Sequence, residues 1–162
     1  MNPLIARYNL KPHPEGGYYG EVYRSADNLT SPHHAHTRSA LTHIYFLLEK
    51  GQISRFHRVL HDEVWNFYAG APLRLIQVEA KQPMQSDNDY ATREKVIGGN
   101  QETEFVHVIP AGHWQAAEST GDYSLVGCSV APGFDFDDFS FMLNEQDQAW
   151  IKRHQPQWSR FI

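Results

Sequence analysis

The sequence predicts an all-β domain carrying a short N-terminal helix and a C-terminal helix. Short stretches that alternate apolar and polar residues recur through most of the chain, and clusters of Gly, Pro, Asn and Asp separate them. Helical spacing is confined to the two ends. At 162 residues the chain fits a single domain. A domain of this size buries roughly 70% of its unfolded surface, so its core needs no metal or disulfide.

Asn2-Pro3 followed by LIARYNL reads as a capped helix with proline at the first position, stopping before Pro12 and Pro14. Strands are predicted over 17–24, 41–48, 54–60, 64–69, 73–78, 94–97, 104–109 and 123–130. The polar stretch 81–92 reads as an exposed loop between two of them. After Leu143, NEQDQAWIKRHQ turns helical, with acidic residues early and Lys152, Arg153 and His154 late, as the helix dipole prefers. This helix is expected to pack Trp150 and Ile151 on the sheets and to end before Pro156. Many short strands joined by turns suit a sandwich or a barrel.

Charge and composition narrow the function. The net charge of −5 comes without a long basic block, which argues against nucleic acid as a partner. No apolar run approaches the roughly 20 residues of a membrane span, and the N-terminus lacks the basic and apolar regions of a signal peptide. The expectation is a soluble, cytoplasmic protein with no membrane partner. Cys128 is the single cysteine, has no partner for an internal disulfide, and reads as a small buried residue. Ten histidines is a high number for this length, and histidine is the side chain best suited to proton transfer or metal binding near neutral pH.

The stretch 51–70, GQISRFHRVLHDEVWNFYAG, carries the most chemistry. His57, Val59, His61, Glu63, Trp65 and Phe67 share one parity, so two strands here set an imidazole, a carboxylate and an aromatic wall on one face. That is the make-up of a lined pocket. Buried together, the carboxylate would orient His57 and raise its pKa, as suits a general base.

The spacing of Gly51, His57, Glu63 and Gly70 resembles the first motif of the cupin superfamily, and Pro110-Ala111-Gly112 with Gln115 resembles the second. Together with HPEGGYYGEVYRS, ALTHIYFLLEKG, PAGHWQAAE and PGFDFDDF, most of the chain is similar to the fifth cupin family, small proteins of largely unassigned function. The resemblance implies a double-stranded β-helix, a jelly roll of two antiparallel sheets, and a homodimer. Such a fold hosts many functions and names no reaction. Metal-binding cupins usually supply two histidines and a glutamate from the first motif and a histidine from the second. Here Val59 and Gln115 stand at two of those positions, and His57 and Glu63 with a glutamine amide make a poor set for zinc or iron. No metal or other cofactor is therefore expected there.

His57, Glu63 and Tyr45 are the candidate catalytic residues, with Tyr45 as a proton donor in case its strand turns that parity inward. Arg24, Trp65, Phe67, Gln115 and Ser129 are the candidate ligand-binding residues: a guanidinium fork, two pocket walls, an amide and a hydroxyl. His61 falls near the turn and reads as exposed. His33, His34 and His36 sit in a loop without a carboxylate or cysteine at a defined spacing, and read as solvated with incidental metal capture. In His13-Pro14-Glu15-Gly16-Gly17-Tyr18-Tyr19 the glycines permit close backbone approach. Three functions stay open for a small polar metabolite: metal-independent epimerisation or isomerisation of a sugar or its relatives, ligand binding or sensing without turnover, and metal-dependent catalysis with an unusual ligand set.

Overall fold

The computed structural model describes residues 2–80 and 82–162, and they form two antiparallel sheets packed face to face. The strands are β1 (Lys11–Pro12), β2 (Tyr18–Arg24), β3 (Asn28–Thr30), β4 (Thr37–Ser39), β5 (Thr42–Glu49), β6 (Ile53–Val59), β7 (Asp62–Gly70), β8 (Leu73–Val78), β9 (Thr92–Ile97), β10 (Val106–Ile109), β11 (Trp114–Ser119), β12 (Tyr123–Ala131) and β13 (Phe139–Phe141). One sheet has the order β1-β2-β5-β12-β7-β10, the other β13-β6-β11-β8-β9, and β3 pairs with β4 alone. This is the double-stranded β-helix.

Each sheet is covered on its outer face, which explains why its central strands are apolar on both parities. In β5, Phe46 and Leu48 point between the sheets with Trp65, Leu75, Val126 and Cys128. Leu47 points outward to Ile5, Leu10 and Leu125 beneath α1 (Pro3–Arg7). Helix α1 is shorter than predicted, and its Asn2 cap accepts from Leu4 N–H. On the other sheet, Phe56, Ile76 and Val78 meet Trp150, Ile151, Trp158 and Phe161 from α2 (Glu145–His154) and the 3₁₀ segment Pro156–Phe161. Asn144 caps α2 through Gln146 N–H, and its basic last turn is as the sequence predicts.

Several elements differ from expectation. Strand β11, WQAAES, is central in its sheet and pairs with both β6 and β8. Its alanines lack β-propensity yet suit a strand buried on both faces. Of the loop predicted over 81–92, Lys81 lies outside the described residues. The remainder is not simply exposed: Met84 is fully buried, its N–H donates to Asp147 Oδ1 at 2.6 Å, and Trp150 Nε1 donates to Asn88 O at 2.9 Å. No helix among the described residues is long and apolar enough to cross a membrane.

The turn between β1 and β2 reaches across to the second sheet. Gly16 has φ +116° and lies against β6, where a Cβ would fall 2.0 Å from Ile53 O. Arg55 N–H donates to Glu15 O at 2.9 Å, so the turn is pinned to β6. Gly16→Ala is expected to lose about 1–3 kcal/mol from the backbone conformation alone, with more from the clash. A urea midpoint equal to that of the parent protein would refute this.

Candidate active site

Between the sheets lies a cavity of about 430 Å³ whose lining includes His13, Glu15, His57, Glu63, Trp65 and Cys128. β6 supplies His57, β7 supplies Glu63 and Trp65, β12 supplies Cys128, and the β1–β2 turn supplies His13 and Glu15. Tyr19, Phe134, Phe136 and Phe139 form an aromatic wall, and Lys11, Glu21, Arg24 and Asp135 add charge.

His57 and Glu63 share this cavity, as their parity predicts, but the carboxyl that His57 Nε2 faces is that of Glu15. His57 Nδ1 lies 2.8 Å from Arg55 O, which can only accept, so this nitrogen carries a hydrogen. Nε2 then faces Glu15 Oε2 at 3.1 Å, and Ser54 Oγ donates to Glu15 Oε1 at 2.9 Å. Burial raises the Glu15 pKa to about 8 against the opposing Ser54 bond. Burial lowers that of His57, outweighing the Glu63 charge. The expectation that a carboxylate raises the His57 pKa is thus reversed, because desolvation of the imidazolium wins. Burial thus favours the uncharged form of each, a carboxylic acid facing a neutral imidazole. His13 is held neutral as well: burial and His57 lower its pKa to about 3, and its Nδ1 accepts from Glu15 N–H at 3.2 Å.

Glu63 is set by a second chain of bonds. Trp65 Nε1 donates to Gln115 Oε1 at 2.9 Å, which fixes the amide so that its NH₂ donates to Glu63 Oε2 at 2.6 Å. Burial raises the Glu63 pKa to about 7, against the opposing effect of His57. Burial also pushes the Cys128 thiol, bonded to Glu63, well above its ordinary value.

This arrangement decides the metal question at the usual cupin position. The Gln115 oxygen is committed to Trp65, Val59 offers no donor, and His57 Nε2 faces the Glu15 carboxyl at 3.1 Å. The residues present do not fit a metal there.

Other expected residues fall elsewhere. Tyr45 has the parity of Leu47, not of Phe46, so it faces out and packs on Tyr8 with ring centroids 4.6 Å apart. Ser129 is on that outer face too, its Oγ 2.8 Å from His43 Nδ1, while His43 Nε2 meets Tyr68 OH at 2.9 Å. Phe67 points inward but packs in the inter-sheet core, with Gly99 beside its ring, and does not line the cavity. Gln115 reaches the site only through Glu63 and Trp65. Arg24 lines the cavity with its guanidinium committed to Glu21, at 3.0 and 2.9 Å. Contrary to its expected exposure, His61 is buried. Glu15 is the residue that sequence reasoning missed. The available signal was the Gly16-Gly17 pair, read as a place of close approach but not as delivering its neighbour.

The family model described as "Cupin superfamily (DUF985)" matches residues 2–142. No curated protein matches. Among solved structures, a hypothetical protein from Leishmania major is 35% identical over 98% of this chain and 93% of its own, with a TM-score of 0.79. A protein from Shewanella oneidensis is 31% identical over 99% and 94%, with a TM-score of 0.75. The capsular polysaccharide assembling protein CapF from Staphylococcus aureus is 16% identical over 82% of this chain and 31% of its own, with a TM-score of 0.54, a likeness of fold alone.

Proposed function

The chain belongs to the DUF985 family of the cupin superfamily, and from that premise we propose that it moves a proton on a small polar metabolite such as a sugar derivative, as an epimerase or isomerase does, without a metal at the usual cupin position. The observation that carries this reading is the trio Glu15, His57 and Glu63, titratable groups that are all buried and all line one cavity. Burial moves the two carboxyls toward neutrality, into the range where a group both gives and takes a proton at working pH. In this reading Glu63 exchanges a proton with the substrate on one side. The Glu15–His57 pair does so on the other, with Glu15 replacing Tyr45 as the donor. Gln115 and Trp65 are positioning residues that act through Glu63, and Lys11 supplies positive charge for an anionic or hydroxyl-rich substrate.

The aromatic wall supports a second reading, a binding or sensing protein without turnover. A thermal-shift screen of sugars, sugar phosphates and organic acids identifies a ligand, since saturation at about 100 Kd adds about 2.7 kcal/mol. With that ligand, exchange of its C–H hydrogen for solvent deuterium, followed by NMR, is expected from the parent protein. The rate should fall at least about 100-fold in Glu63→Gln and in His57→Asn with binding retained. Binding without any exchange in the parent protein would leave the sensor and refute the enzyme.

A further inference from the structure

We infer that His34, His61 and Asp138 form a binding site for one divalent transition-metal ion of the zinc type, separate from the cavity. Among the described residues they are the group of His, Cys, Asp or Glu side chains whose ligand atoms lie within 4.8 Å of one another. They come from three segments: the loop between β3 and β4, the turn between β6 and β7, and the 3₁₀ turn Phe136–Asp138. From sequence the loop histidines read as solvated because the carboxylate and the buried imidazole that join them are remote in the chain.

The independent pointer is His61. It is only 2% exposed, and its Nδ1 has no hydrogen-bond partner. That nitrogen faces Asp138 Oδ2 at 3.6 Å, beyond hydrogen-bond reach. On the far side of the ring, Nε2 lies 2.7 Å from Ser31 Oγ. With Nε2–H donating to Ser31, Nδ1 offers a lone pair toward a carboxylate, an arrangement that a cation between them satisfies. A ligating histidine usually donates its other N–H in this way.

The other donors suit the same ion. Asp138 accepts from His34 and from two nitrogens of the Arg38 guanidinium, a set of donors suited to a carboxylate anion. His34 Nε2 lies 2.9 Å from Asp138 Oδ1. Two imidazoles and a carboxylate leave a fourth position for water, a set that zinc accepts and that imidazole-binding nickel or copper would share. A hollow lined by His34, His36, Arg38, Leu60, Asp137 and Asp138 gives access.

Two contacts weaken the site and bound its affinity. Arg38 donates to both oxygens of Asp138, at 2.7 and 2.9 Å, so the ion shares its carboxylate with a fixed positive charge. His36 N–H donates to His34 Nδ1 at 3.1 Å, so coordination moves the His34 hydrogen from Nε2 to Nδ1 and turns that peptide aside. An ion bound here ties down Asp138 in the 134–139 segment, whose Phe134, Asp135, Phe136 and Phe139 line the cavity.

The test is calorimetric titration of the full chain, untagged and stripped of metal, with Zn²⁺ alone at pH 7. Because Asp138 also holds Arg38, the ligand is removed at the partly exposed His34. One ion per chain is expected, with affinity lowered at least about tenfold in His34→Ala and unchanged in His36→Ala. Metal-free His34→Ala should still melt cooperatively, at a temperature lowered only by the loss of its hydrogen bond to Asp138, and His61→Gln gives a second ligand deletion. No binding, binding unaffected by His34→Ala, or equal losses in His34→Ala and His36→Ala would each overturn the assignment; the last would mean capture by the loop histidines only.

Discussion

Trp65→Ala is expected to cost about 4 kcal/mol of folding stability, lowering Tm by roughly 8–16 °C for a chain of this size. Trp65 is 1% exposed and meets Phe46 edge to face at 5.8 Å, so its removal opens a cavity in the inter-sheet core. The second effect is polar. Gln115 Oε1 loses its donor, and nothing then fixes which end of the amide faces Glu63. Trp65→Phe weights the second effect, because it removes the N–H while keeping most of the volume; the lost hydrogen bond should cost about 1–3 kcal/mol. Guanidinium denaturation of both variants checks this. A Trp65→Phe protein as stable as the parent would show that the Trp65–Gln115 bond holds nothing in place.

Stability should fall as the solution turns alkaline, while on the acid side buried carboxyls and buried histidines pull in opposite directions. On the alkaline side, Glu15 and Glu63 have folded pKa values of about 8 and about 7, raised from 4.5. The folded chain keeps protons that the unfolded chain has released, so what these groups contribute is complete below 4.5 and is lost as pH rises through 7 and 8. From pH 6.5 to above 8 the loss is about 3 kcal/mol, at about 1.4 kcal/mol per unit for each retained proton. On the acid side the histidines oppose the carboxyls. His13 falls from 6.5 to about 3, and His43, His57, His61 and His107 are also lowered by burial. Their contribution is present above 6.5 and is lost as the unfolded chain takes up protons that the folded chain refuses. The doubly substituted Glu15→Gln, Glu63→Gln protein should lose the alkaline limb, because neither side chain then has a proton to release. Urea unfolding across pH 5 to 9 reads this directly, and an alkaline limb that survives both substitutions would refute the burial of protonated carboxyls.

Period-2 patterning made the sheets legible and put His57, Glu63 and Trp65 on an inward face, because each lies in a strand whose neighbours alternate clearly. It failed at Tyr45 and Ser129. Strands β5 and β12 are covered on both faces, by α1 on one side and the opposite sheet on the other, so apolarity could not say which parity faced the cavity. Strand β11 was invisible because a doubly buried central strand favours small residues that carry no strand signal. Glu15 and Asp138 were missed for a different reason. Each meets its histidine through tertiary packing across a long sequence separation, and no local spacing encodes such a meeting. The double glycine beside Glu15 was the nearest available clue.

The turn that carries Glu15 belongs to both halves of the sandwich: it leads into β2 in one sheet and is hydrogen-bonded to β6 in the other. It therefore ties the two sheets together beside the cavity, and burial keeps a proton on the carboxyl it carries. Lifting it would bring Glu15 into water, where its carboxyl reverts to ordinary acidity and gives up that proton at neutral pH. Separation of this turn from β6 would then be coupled to release of a hydrogen ion, and alkaline solution would favour it.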